Sequence, residues 1–259
     1  MNALLAALLL ALATHAYALE WQDSPEVAKL FADAGVHGTF TVYDGRRLTG
    51  HNRARAEQRF VPASTFKIPN SLIGLATGAV KSTSETLPYG GNPQPVKAWE
   101  QDMNLRDAIG ISNVPIYQEL ARRIGLQRMR AGVASLDYGN KDIGAIVDTF
   151  WLAGPLKISA IEQARFLARL ARDELPLEKS VQAEVRAIVH LESQTGWILY
   201  GKTGWATSTQ PGVGWWVGWV ENRQGLHAFA LNMDMPTIDG APRRIELGKA
   251  SLKALGILP

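Results

Sequence analysis

The sequence predicts an α+β fold of the α/β/α type. An antiparallel sheet is built from both chain ends and flanked by terminal helices, with an all-helical subdomain over roughly residues 65–190 between them. Three observations carry this. Strand-like runs occur near both ends, amphipathic helical patterns fill the middle, and the segments that bracket the strands read as helices. No internal repeat or low-complexity segment interrupts this order. A chain of 259 residues, 46% hydrophobic and 20% charged, has ample material for one well-filled core.

The first segment stands apart. Met1 to Ala18 contains an apolar run, Ala3 to Ala13, followed by Ala16-Tyr17-Ala18. The Ala-x-Ala tripeptide fits a signal-peptidase site, so residues 1–18 are expected to be removed after export to the periplasm, leaving a single domain over 19–259 and no membrane anchor. The run is short for a bilayer span, although its leading end lacks Lys or Arg. Cysteine is absent, so stability must come from the core rather than disulfides.

Ser24-Pro25-Glu26 reads as a cap followed by Pro at the first helical position, opening a helix to about Ala34. Gly38 to Tyr43 is β-rich and ends in Asp44-Gly45, a hairpin signal, with Arg47 to Asn52 as the partner strand. Helical patterns follow over Leu105 to Ile111, Val114 to Ile124, Ile158 to Ala171 and Val181 to Leu191; Pro88 to Pro95 reads as loop. Trp197 to Lys202, Gly214 to Glu221 and Leu226 to Met233 read as strands, with Trp215, Trp216 and Trp219 as packing on alternate faces. Arg243 to Leu255 closes the chain as a helix stopped by Gly256.

The net charge of +3 is mild. The densest basic cluster, Arg46 to Arg59, has acidic neighbours and no interleaved aromatics, so it reads as solvated surface and nucleic acid is not an expected partner. The five histidines show no ligand spacing, and a metal site is not expected.

The chemistry centres on Val61-Pro62-Ala63-Ser64-Thr65-Phe66-Lys67. Placed in the first turn of a helix that runs to about Gly78, Ser64 and Lys67 share a face, so hydroxyl and amine can meet. A solvated lysine at a helix start is the plainer reading of that tetrapeptide alone. Three further motifs follow in order: Ser112-Asn113-Val114 between two helices, Tyr138-Gly139-Asn140 in a loop, and Lys202-Thr203-Gly204 at a strand end. Taken singly, Ser112 reads as well as a capping serine, and Tyr138-Gly139-Asn140 as a turn. Lys202 and Thr203 suit an anionic substrate, and Gly204 permits close approach of a ligand backbone.

Together these motifs resemble the class D serine β-lactamases, the oxacillinases, with Ser-x-Val in second place where related penicillin-recognising enzymes usually have Ser-x-Asn. The resemblance spans the chain from Trp21 to the last helix. It implies the penicillin-recognising serine hydrolase fold and hydrolysis of the β-lactam ring. In it Ser64 is acylated, and Lys67 is the modified residue, N-carboxylated by CO₂ or bicarbonate, with no other cofactor. Trp151 donates its indole N–H to the carbamate, and Phe66 and Val114 supply apolar walls. Ser112 and Lys202 relay a proton to the lactam nitrogen. Thr203 and Arg244 bind the substrate carboxylate, Arg243 being a competitor that periodicity does not separate. The backbone N–H groups of Ser64 and Trp205 form the oxyanion hole. A homodimer is compatible with the resemblance, and a sensor domain acylated without turnover is the alternative.

Elementary chemistry bears on the lysine. A free amine is neutral at pH 7 in only about one molecule in a few thousand, and burial beside Phe66, Val114 and Trp151 would lower its proton affinity enough for it to act as a base or take up CO₂.

Overall fold

The computed structural model describes residues 20–259. The expected signal segment, 1–18, lies outside them. Strand β1 (Glu20–Asp23) leads into helix α1 (Pro25–Asp33), where the Ser24 side chain accepts from Val27 N at 3.3 Å and Pro25 occupies the first turn. Strands β2 (Gly38–Tyr43) and β3 (Arg47–His51) form the expected hairpin. Its turn is closed by Asp44 Oδ1, which accepts from Arg46 N at 2.7 Å and Arg47 N at 2.8 Å. A short helix follows, α2 (Arg53–Glu57).

A 3-10 turn, Ala63–Phe66, runs into α3 (Lys67–Ala76), which Gly78 terminates at φ +67°. The middle of the chain is helical: α4 (Leu105–Gly110), α5 (Val114–Ile124), α6 (Leu126–Ser135), α7 (Ala160–Ala171) and α8 (Lys179–Ile188). Ahead of α4 it also contains a two-residue strand pair, β4 (Thr86–Leu87) and β5 (Met103–Asn104), which the all-helical expectation did not include. The last third forms β6 (His190–Gln194), β7 (Trp197–Ala206), β8 (Val213–Asn222), β9 (Gly225–Asp234) and α9 (Ala241–Ala254).

The strands assemble in the order β1-β3-β2-β9-β8-β7-β6, so the sheet draws on both chain ends; β2 meets β9 in antiparallel register, and only the β1–β3 pair is parallel. Side chains alternate along β8 as a period of two requires. Trp216 and Val220 face Phe31 of α1 and Leu247 and Leu252 of α9, while Trp215, Val217 and Trp219 join the larger core beneath α7 and the other helices. Gly248 of α9 sits directly on Trp216: a Cβ there would lie 2.1 Å from the indole. Gly248→Ala should therefore destabilise the fold by about 1–3 kcal/mol through overpacking, and thermal unfolding would show it as a fall in Tm of several degrees.

Four differences from the sequence reading have physical causes. Helix α8 stops at Ile188, not Leu191, because His190–Gln194 pairs with the edge that Trp197–Tyr200 offers; sheet pairing overrides helical periodicity there. Gly125, at φ +79°, separates two helices, and α6 resumes at once, burying Met129 and Val133. The last helix starts at Ala241, two residues before the expected Arg243, because Pro242, whose fixed φ and missing N–H suit a first turn, opens it. Arg55, read as part of a solvated cluster, is buried; its Nε donates to Asn232 Oδ1 at 2.6 Å and its Nη2 to Asp234 at 2.7 Å.

Candidate active site

Ser64 lies on the 3-10 turn, one step before α3 rather than within it. The i, i+3 meeting still holds, because three residues per turn bring those side chains into line. Lys67 Nζ donates to Ser64 Oγ at 3.1 Å. The turn is fixed from several directions. Ala63 adopts φ +48°, unusual for a residue with a Cβ, and its N–H donates to the Trp151 carbonyl at 2.9 Å. Thr65 Oγ1 donates to Pro62 O at 2.8 Å and accepts from Gln163 Nε2 of α7 at 2.8 Å.

Lys67 is fully buried. Burial first, and the nearby charge of Lys202 second, hold its amine well below the usual lysine range. Lys202 on β7 is itself buried and pushed down to about 7, by burial and then by Arg244. Arg244, on α9, is lowered to about 10 by burial. Lys67, Lys202 and Arg244 thus stand in series; burial is the larger cause at both lysines, and the charge of the next basic group in the series adds to it.

The second motif comes to Lys202. Asn113, not Ser112, caps α5, accepting from Ile116 N at 3.2 Å. Ser112 sits at φ +57° with its hydroxyl free of that duty, and Lys202 Nζ donates to Ser112 Oγ and, at 3.0 Å, to Thr203 O. The capping alternative for Ser112 is thereby removed. Val114 is half-buried at the start of α5.

Strand β6 pairs with β7 only as far as Tyr200, so the edge from Lys202 to Ala206 is left to the turn that carries Ser64. Gly204 makes that approach possible: a Cβ would lie 3.0 Å from Pro62 O and 3.3 Å from Thr65 N. Thr203 and Trp205 are half-buried, and the Trp205 indole donates to Met235 O at 2.9 Å. Arg244 reaches the Gly204 carbonyl with Nη1 and Ala241 O with Nε, whereas Arg243 is exposed. The structure thus separates the two arginines: Arg244 is the one at the site.

Trp151 is fully buried, stacked on Phe66 with centroids 5.5 Å apart and set edge-on to Phe150. Its indole Nε1 has no hydrogen-bond partner within the protein. A buried donor left open is costly, so this site is built for an acceptor that the unmodified chain does not itself supply. A carbamate on Lys67 would have that chemistry, being an anion with two acceptor oxygens, and burial of the amine works against the ammonium form that cannot take up CO₂.

Tyr138-Gly139-Asn140 supports the site from behind. Tyr138 packs edge-on against Phe66 at 5.7 Å and donates to Gln163 Oε1 at 3.3 Å. Gly139 is at φ +58°, and a Cβ would meet Lys157 O at 2.2 Å. Asn140 accepts from Lys157 N and donates to Pro155 O, both at 3.0 Å, clamping the segment that follows Trp151. Sequence reasoning missed Tyr117 and Gln163. Tyr117 stands three residues after Val114, so helical spacing alone could have put it on the same face of α5; Gln163 carried no signal.

Comparison with known proteins agrees with this geometry. Residues 36–252 match the family model described as the penicillin binding protein transpeptidase domain. The chain is 41% identical to β-lactamase OXA-48 of Klebsiella pneumoniae, over 94% of this chain and 93% of that one. It is 40% identical to β-lactamase OXA-5 of Pseudomonas aeruginosa, over 89% and 88%. Among solved structures, the class D β-lactamase FUS-1 (OXA-85) from Fusobacterium nucleatum subsp. polymorphum superposes with a TM-score of 0.89 at 41% identity, covering 92% of this chain and all of that one. The class D β-lactamase YbXI from Nostoc gives 0.87 at 42% identity, covering 90% and 99%. With the serine, the two buried lysines and the second serine gathered at one seam, and these likenesses running almost end to end, the chain belongs to the class D β-lactamases.

Proposed function

We propose that this protein hydrolyses the β-lactam ring of penicillin-type antibiotics through an acyl-enzyme on Ser64, with Lys67 working in its N-carboxylated form, and that it does so in the periplasm, where it confers resistance. The observation that carries the reading is the fully buried Lys67, 3.1 Å from Ser64 Oγ and next in sequence to Phe66, on which the Trp151 indole is stacked with its N–H unpartnered. When present, the carbamate supplies a general base beside the Ser64 hydroxyl.

Ser64 Oγ gives its proton to that base and bonds to the lactam carbonyl carbon, the C=O π pair moving onto the oxygen. The oxygen charge that develops is met by the backbone N–H groups of Ser64 and Trp205, each able to contribute a factor of about 10²–10³. The C–N bond then breaks, and the nitrogen takes a proton from Ser112, which Lys202 resupplies through their hydrogen bond. Arg244 and Thr203 hold the substrate carboxylate at the open end of β7. The acylation proton then passes from the base to solvent, from which Lys202 recovers its own. Water attacks the ester carbonyl from the Lys67 side, giving a proton to the base, and that proton passes to Ser64 Oγ as the C–Oγ bond breaks.

This reading fixes a pH dependence. Lys67 reacts with CO₂ only as the neutral amine, and its proton affinity is lowered, so carboxylation persists toward neutral pH and is lost as acid restores the ammonium. Initial rates on a chromogenic β-lactam should fall on acidification and be partly restored by added bicarbonate at the same pH. Equal losses with and without bicarbonate would contradict it.

A further inference from the structure

Lys67 and Tyr117 are both fully buried, and Lys67 Nζ lies over the Tyr117 ring, 5.1 Å from its centroid. The ring is held there by the residues that follow Lys67 on α3. Ser71 Oγ, which donates to Lys67 O at 2.8 Å, stands 3.0 Å from the Tyr117 hydroxyl, and Asn70 Nδ2 donates to Tyr117 O at 3.1 Å. The helix that carries the lysine thus grips the ring beneath it.

The face of an aromatic ring is the negative side of its quadrupole. It attracts a cation, more strongly where water is excluded, and gives an anion nothing. The charge acting on Lys67 from β7 is Lys202, with Arg244 of α9 acting on Lys202 in turn; both oppose an ammonium, and among the described residues no carboxylate pairs with Lys67. Ser64 and Trp151, from the turn and the loop, are uncharged. Among these groups the Tyr117 ring and the Ser64 hydroxyl, which accepts from Nζ, favour the protonated amine; the ring is the one outside the reacting pair.

We propose that Tyr117 is a positioning residue that sets the pH at which Lys67 exchanges its protons for CO₂, by holding the ammonium form against carboxylation. This rests on the carboxylated-lysine reading above. In the exchange the ammonium loses one proton, the freed nitrogen lone pair bonds to the carbon of CO₂, and a second proton leaves the nitrogen; one N–C bond forms, two protons go to solvent, and nothing is oxidised or reduced. Where the ammonium is the form displaced, two protons leave per CO₂ taken up, and the midpoint moves by half of any change in the amine's proton affinity.

The test follows the carbamate itself. Mature protein is equilibrated with ¹³C-bicarbonate at fixed dissolved CO₂, and the carbamate carbon resonance is titrated with pH. Tyr117→Phe keeps the ring face and should keep the wild-type midpoint. Tyr117→Leu removes the face and should move the midpoint to lower pH by roughly 0.5–1 unit. Pentafluorophenylalanine at position 117 preserves the ring's size while reversing its quadrupole, so it should shift the midpoint in the same direction; it decides the matter if the leucine variant folds poorly. A purely structural role for Tyr117 predicts one common midpoint, and that result, with a clear wild-type signal, overturns this inference alone. No carbamate signal in the wild type at any pH overturns the reading beneath it.

Discussion

Lys67→Ala should lower kcat/KM for a good penicillin by about 10²–10⁴-fold, the range expected when a general base is removed. Ser64 would remain on its turn, since that turn is fixed by Trp151 O, Pro62 O and Gln163 rather than by the lysine. Lys67→Arg should be as inactive, because a guanidinium keeps the positive charge but neither gives up its proton nor takes up CO₂. If Lys67→Arg retained substantial activity, the lysine would be acting as a charge and not as a base. Stability should move the other way. A buried amine with lowered proton affinity leaves the unfolded chain holding more protons than the folded one, so folding is penalised at neutral pH and the penalty fades only as pH rises toward the ordinary lysine value. In bicarbonate-free buffer, Lys67→Met should therefore raise Tm at pH 7 more than at pH 10.

Trp151→Phe should slow deacylation by about 10–10²-fold while changing acylation only a few-fold. The expected size is that of one hydrogen bond to a charged group. Phenylalanine keeps an aromatic ring against Phe66 but removes the donor that the protein leaves open. Acylation depends chiefly on the Ser64–Lys67 pair, which the turn already aligns, whereas deacylation needs the base held in place for an incoming water. Pre-steady-state measurement of both steps checks this. Equal slowing of the two would mean that Trp151 serves the packing of the site and not its base.

Much of this was legible in the sequence because it is local. Ser24 before Pro25 and Asp44-Gly45 between two β-rich runs specify their cap and turn through neighbours in the chain, and the structure realises both. Ser64 and Lys67 are legible for the same reason, three residues apart. What could not be read depends on distant partners. Nothing near His190 says that the edge of β7 will draw it out of a helix. Gln163 reaches Thr65 across 98 positions, and Arg55 reaches Asp234 across 179. Tyr138-Gly139-Asn140 looks like an ordinary turn until Lys157 and Pro155 are found to be what it grips. Arg244 and Arg243 are equivalent in the sequence; only the packing of α9 on β8 and β9, which brings Arg244 to the Gly204 carbonyl, separates them. Ser112 is a further case, since its freedom to meet Lys202 comes from Asn113 taking the cap.

The most direct test of the central claim is intact mass against time, after mixing mature protein with a slight molar excess of a penicillin, with and without bicarbonate. An acyl adduct that forms and then disappears, and disappears faster with bicarbonate, is the predicted result: Ser64 is acylated and a carboxylated Lys67 drives its release. An adduct that persists for hours in both conditions would contradict it and mark the protein as a β-lactam acceptor without turnover.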